Sequence, residues 1–199
     1  MSRYVTLEQV RAQSQVGDTL DDDVLTVALD AAEQQIDEHC RRRFDKVDPD
    51  DPEASTVRVY SPSNRFRVDV DDVVKVDTVE DRTSPTSDYA AVGSWGLWPS
   101  NADADGRPFQ TVLSLTGRPF GSGFEAVRVT GWFGWPETPS PVVQATLLQA
   151  SRLAQRRNAQ FGIANVVGMD GTAGMRLLAK LDADVELMLS PFRRNPVLV

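Results

Sequence analysis

The spacing of apolar residues changes period twice along this chain. It is helical from Leu7 to about Arg43, alternates from Thr56 to Thr130, and is helical again from Pro141. Thr6-Leu7-Glu8-Gln9 has the form of a capping box and predicts a short helix carrying Leu7 and Val10, ending near Gly17. Asp21, Asp22 and Asp23 then stand where a helix mouth favours carboxylates. A second helix follows from about Asp22 to about Arg43, with Val24/Leu25, Ala28/Leu29, Ala32, Ile36 and Cys40 on one stripe. Arg41, Arg42 and Arg43 fall in its last turn, the sign that the dipole prefers there.

Lys46 to Ser55 is a charged, proline-broken loop, and period two begins beyond it. Val57/Val59, Phe66/Val68/Val70, Val74/Val76, Val112/Leu113/Leu115 and Val127/Val129 mark five or six strands, mostly antiparallel. Ser87–Pro108, which holds Trp95 and Trp98, carries no clear pattern. Gly131 breaks the last strand, and an elbow rich in aromatics and proline leads to Ser140 as N-cap and Pro141 at N1. The helix predicted from there to about Gln160 spans roughly 30 Å at about 1.5 Å per residue. Its stripe is Val143, Leu147, Ala150 and Ala154. Gly162–Gly174 reads as a mobile loop, and Met175–Leu181 fits strand or helix equally. Asp182 caps a short helix, Ala183–Leu189, stopped before Pro191. The fold class is therefore α+β: two long helices and short terminal ones, with a β-rich insertion. The expected division is 1–45 with 131–199 for the helical core and 56–130 for the insertion.

Charge and composition narrow the function. Lys+Arg number 21 against Asp+Glu 29, a net charge of -8, which disfavours a dedicated nucleic-acid-binding module. A single cysteine, Cys40, excludes an intrachain disulfide and fits a reducing compartment. No apolar run approaches the roughly 18 residues of a membrane span, and no signal-peptide pattern opens the chain.

The motifs associated with chemistry are incomplete. Asn101-Ala102-Asp103-Ala104-Asp105-Gly106 begins like a calcium loop, but Val112 stands where the bidentate glutamate belongs, so a polar turn between strands is the better reading. Asp21–Asp23 and Asp48–Asp51 lack partners at ligand spacing. His39 is the only histidine, and Cys40 beside it points about 100° away on a helix. There is no Gly-x-Ser-x-Gly turn and no phosphate loop, so neither an enzyme nor a cofactor is expected. Arg41, Arg42, Arg152 and Arg156 suit inter-subunit pairing or dipole complement, and Trp132 and Trp135 suit a core or a subunit interface.

Three segments carry a family resemblance. They are Tyr4–Gln9 leading to the helix that ends Ile36-Asp37-Glu38-His39-Cys40-Arg41-Arg42-Arg43-Phe44; Val129-Thr130-Gly131-Trp132 with its prolines and a helix ending Ala154-Gln155-Arg156-Arg157-Asn158; and the short helix closing on Leu189-Ser190-Pro191-Phe192-Arg193-Arg194. Together they resemble the head–tail connector (adaptor) proteins of tailed bacteriophages. The resemblance implies a structural virion protein made in the host bacterial cytoplasm. Such a protein closes into a ring, of twelve copies in the particle and monomeric alone in some cases, that docks on the portal protein. The ring extends the DNA channel towards the next neck or tail-completion protein, and duplex DNA passes without specific binding. By similarity the portal-facing contact lies in Leu189, Pro191, Phe192, Arg193, Arg194, Val197 and Leu198. The alternatives are a stopper or tail-completion protein of the same neck, or a DNA-binding packaging factor supported only by the arginine clusters.

Overall fold

The computed structural model describes residues 4–14, 22–115, 117–158, 163–165, 174–176 and 181–194. The chain forms two compact units, one from Met1–Arg43 and Pro139–Arg194, the other from Phe44–Thr138.

The first unit is helical. Helix α1 (Leu7–Ser14) is opened by the expected capping box: the Thr6 N–H donates to Gln9 Oε1 at 2.7 Å, and the Gln9 N–H to Thr6 Oγ1 at 3.3 Å. Helix α2 (Asp22–Cys40) buries Leu25, Ala28, Leu29, Ala32, Ile36 and Cys40 on the predicted stripe. It also buries Glu33, whose carboxylate accepts the Tyr4 backbone N–H at 3.0 Å. The Tyr4 hydroxyl donates to Asp37 Oδ1 at 2.6 Å, so the segment before α1 is strapped along α2 by two hydrogen bonds.

Helix α3 (Ser140–Asn158) packs against α2, α1 and the short C-terminal helix α4 (Ala183–Leu189). Covered from several sides, it buries more than one stripe. Val142, Ala145, Thr146, Gln149, Ala150, Ser151 and Ala154 are inside, whereas Val143 and Leu147 are only half-buried. The small residues allow close helix approach, and two of the polar ones donate: Gln149 Nε2 to Gln35 Oε1 at 2.7 Å, and Thr146 Oγ1 to the Val142 carbonyl at 2.8 Å.

The second unit is a six-stranded antiparallel sheet of β1 (Thr56–Tyr60), β2 (Arg67–Asp81), β3 (Ala90–Ala91), β4 (Trp95–Trp98), β5 (Phe109–Ser114) and β6 (Val127–Phe133), ordered β1-β6-β2-β5-β4 with β3 on β2. The two expected strands around Val68 and Val76 are one long strand, β2. Register shifts after Asp69 and Val73 let its first half pair with β5 and its second with β6. Val68, Val70, Val73, Val79, Val92, Val112, Phe120, Val127 and Val129 form the core. Burial of side chains of this size stabilises by roughly 1.5–3 kcal/mol each. The Asn101–Gly106 stretch is the turn between β4 and β5, closed by the Gly106 N–H on Asp103 O at 3.0 Å, with Gly106 at φ 63. Strands β3 and β4 occupy the stretch where no pattern was legible.

A second, two-stranded sheet follows α3: β7 (Ile163–Asn165) pairs antiparallel with β8 (Gly174–Arg176). Part of the stretch read as a mobile loop is thus a hairpin. Its tip, the N-terminal acidic residues up to Asp21 and the C-terminal Val197 and Leu198 lie outside the described residues.

Candidate functional site: the arginine-rich end of the helical unit

Helix α2 stops without a glycine. Arg41 takes the left-handed conformation at φ 55, and the Arg42 N–H donates to the Asp37 carbonyl at 3.2 Å, closing the helix with a Schellman-type bond. Arg42 and Arg43 then leave the helix end, with Arg43 Nε 3.9 Å from Asp37.

The last described segment comes back to the same place. Asp182 caps α4 by accepting the Asp184 N–H at 3.1 Å, and Val185 and Leu189 anchor the helix in the core. A 3-10 turn, Ser190–Phe192, carries the chain on, and the Arg194 N–H donates to the Cys40 carbonyl at 2.9 Å. That bond satisfies an orphan carbonyl at the C-terminus of α2 and gathers Arg41, Arg42, Arg43, Arg193 and Arg194 at one end of the unit. Between α2 and α4 lies an open cleft of about 340 Å³, lined by His39, Ala183, Glu186, Leu187, Ser190 and Arg193. Leu187 is 74% exposed, a large apolar side chain facing away from the core. Beneath this surface Cys40 is fully buried, and burial pushes its thiol up to about 12, against the opposing pull of Arg42. A thiol held neutral is no nucleophile.

Two groups that the sequence placed separately therefore meet: Arg41 and Arg42 from the end of α2, and Pro191, Phe192, Arg193 and Arg194 from the C-terminal segment. Leu189 does not share the surface; it is fully buried in its own unit and supports the turn from below. Arg152 points elsewhere, its Nη1 donating to Asp182 Oδ2 at 2.7 Å to hold the start of α4. The side chain of Arg156 is outside the described residues. The signal for Leu187 was present in the sequence, since it stands off the Val185–Leu189 stripe. What that residue adjoins was not legible, because the cleft is made by a helix more than a hundred residues earlier.

Trp132 and Trp135 serve the sheet unit. The Trp132 indole N–H donates to the Asp51 carbonyl at 2.6 Å, and Lys75 Nζ lies 4.7 Å from its ring centre. The Trp135 indole N–H donates to the buried Asp72 Oδ2 at 3.1 Å, while its backbone exchanges hydrogen bonds with Asp45 and Val47 at 2.8 and 3.0 Å. Both rings are therefore structural clamps on the acidic 45–53 loop, buried at 9% and 3% exposure, and not surface patches. Within that loop Asp48 and Asp51 accept the N–H groups of Asp50 and Glu53, each at 3.0 Å. These are turn roles, not ligand geometry. Among the described residues no group of three or more His, Cys, Asp or Glu side chains is placed to hold a metal ion.

Residues 4–83 match the family model described as phage gp6-like head-tail connector protein. No curated protein matches the sequence. In fold, the chain is similar to one from the neck of an empty gene transfer agent (GTA) particle computed with C6 symmetry, with a TM-score of 0.57 at 16% identity, covering 98% of this chain and 92% of that one. A chain from the virion of a native gene transfer agent particle gives 0.54 at 18% identity, over 98% and 92%. A chain from the neck of the native particle computed with C12 symmetry gives 0.51 at 19% identity, over 100% and 97%. At these identities the likeness is one of fold, and it runs through both units. The connector resemblance read from the sequence is borne out by the family match, and that family is a structural one.

Proposed function

We propose that this chain, whose residues 4–83 carry the pattern of the head–tail connector family, is a ring-forming adaptor in the neck of a phage-like particle. It docks on the portal protein, extends the DNA channel towards the tail and hands over to the next neck or tail-completion protein. The observation that carries this reading is the likeness along nearly the whole chain to proteins from particle necks computed with C6 and C12 symmetry. A ring is built by heterologous contacts, in which two different faces of each copy meet. A chain with a basic face in one unit and a net charge of -8 overall has the unlike surfaces that such packing uses. The portal-facing contact is assigned to the arginine-rich end, with Pro191, Phe192, Arg193 and Arg194 and their continuation through Val197 and Leu198.

Electron microscopy and native mass spectrometry of the full chain mixed with the purified portal of its own particle test this. The expected result is a ring of this chain seated on the portal. A chain that ignores the portal, and joins only when another neck protein is already bound, would be a stopper or tail-completion protein instead.

A further inference from the structure

Resting on that docking reading, we propose that the arginine-rich end of the helical unit receives an acidic segment of the partner ring, one that carries an apolar anchor residue seated in the cleft beside Leu187. Charge comes first. Five arginines converge here, and the acids at the end of α2 and in the cleft wall are Asp37, engaged by Tyr4 and Arg43, Glu38, which accepts from Gln34, and Glu186. Arg41 and Arg193 are exposed and make no ion pair among the described residues. A concentration of cations in a chain of net charge -8 marks the place where a carboxylate-bearing partner is drawn.

Backbone geometry points to the same surface. Position 41 is held at φ 55, the conformation in which a helix ordinarily ends on glycine, and an arginine occupies it. A residue kept against its local conformational preference signals a role for the side chain.

The cleft selects the class of partner. Duplex DNA presents phosphates along its backbone and its few apolar groups, such as the thymine methyl, inside the groove, so a backbone contact would leave Leu187 uncovered and set Glu186 against its charge. A peptide whose carboxylates flank an aliphatic or aromatic side chain satisfies both the arginines and the exposed leucine. The acidic run of a second copy, Asp45–Glu53, does not fit. Its Asp51 carbonyl is held by Trp132, its Val47 is half-buried, and it offers only prolines as apolar contacts.

The test is binding of the full chain to the purified portal ring, measured at about 0.05 and 0.5 M salt, where screening of exposed charges differs strongly. Arg41→Glu with Arg193→Glu is expected to weaken binding at least tenfold and to flatten its salt dependence. Leu187→Ser is expected to weaken binding about tenfold and to leave the salt dependence intact. All three positions are exposed, so thermal unfolding should stay within a few degrees of the parent. If the unaltered chain binds the portal and the charge-reversed variant binds equally well, the acidic-segment proposal is wrong while portal docking stands. Loss of ring closure with portal binding retained would make this face a contact between copies, and competition by short duplex DNA would make it a nucleic-acid site; either overturns the proposal. If the unaltered chain itself fails to bind the portal, both readings fall together.

Discussion

Arg41 concentrates the tension between stability and use in one residue. A non-glycine side chain in the left-handed region costs about 1 kcal/mol. Arg41→Gly should therefore stabilise the helical unit by roughly 0.5–1 kcal/mol in urea unfolding, while weakening attachment to the portal. A variant that is more stable and binds no worse would show the arginine to be incidental. Two other residues define what lies under the surfaces. Trp135→Phe removes the indole donor from Asp72, a carboxylate at 6% exposure. The cost expected is about 1–3 kcal/mol in the sheet unit, read as a lower urea midpoint with unchanged slope. Cys40 titrates in the opposite sense to a salt-bridged carboxyl, because burial raises its pKa from 9.0 to about 12. Its contribution to stability is whole below pH 9.0 and is lost as the pH climbs towards about 12, since only the unfolded thiol ionises readily there. Cys40→Ser should flatten the alkaline fall in the unfolding midpoint between those values. The sequence showed that this thiol sits on an apolar stripe that ends in Arg41, Arg42 and Arg43, but not that Arg193 and Arg194 would join them at the end of its helix.

At the scale of elements, α4 shows how a short helix is held. With seven residues it is far below the length at which a helix persists alone. It is kept by Val185 and Leu189 in the core, and by Asp182, which caps its first turn and receives Arg152. Asp182→Ala should cost about 1–2 kcal/mol and raise amide exchange across Ala183–Leu189 before the rest of the unit opens. Unchanged protection there would mean that the two core anchors suffice. The four helices were legible because each carries a stop or start signal matched to its apolar period: Thr6 and Gln9 at α1, Asp182 at α4. The sheet was less legible. β2 looked like two strands because its bulges reset the alternation, and β4 was missed because Trp-Gly-Leu-Trp follows neighbours that belong to the tertiary fold. The same limit applies to the site. Both its arginine clusters stood out in the sequence, yet their meeting, marked by the backbone hydrogen bond from Arg194 to Cys40, is a product of tertiary packing that no local pattern encodes.

At the scale of the molecule, the elbow of Trp132 and Trp135, read as part of the helical core, is built into the sheet unit, whose compact boundary falls at Thr138. The chain thus pairs a helical unit bearing a basic face with a sheet unit whose linker to it is acidic. The net charge of -8 per copy multiplies in any ring. Duplex DNA carries one charge per about 1.7 Å of axis, and a basic lumen would hold it by releasing condensed counterions. A ring of net negative subunits gains no such release, so a genome can slide through it without being gripped. Filter binding of the assembled ring to duplex DNA at low salt should accordingly show no retention above that of a neutral control protein. The five arginines do not reverse this expectation within a copy of net charge -8, and the same result is expected in the second arm of the measurement, with rings seated on the portal. Micromolar or tighter retention by seated rings, falling steeply as salt is raised, would mean that the lumen itself is basic and that this chain grips the DNA instead of letting it pass.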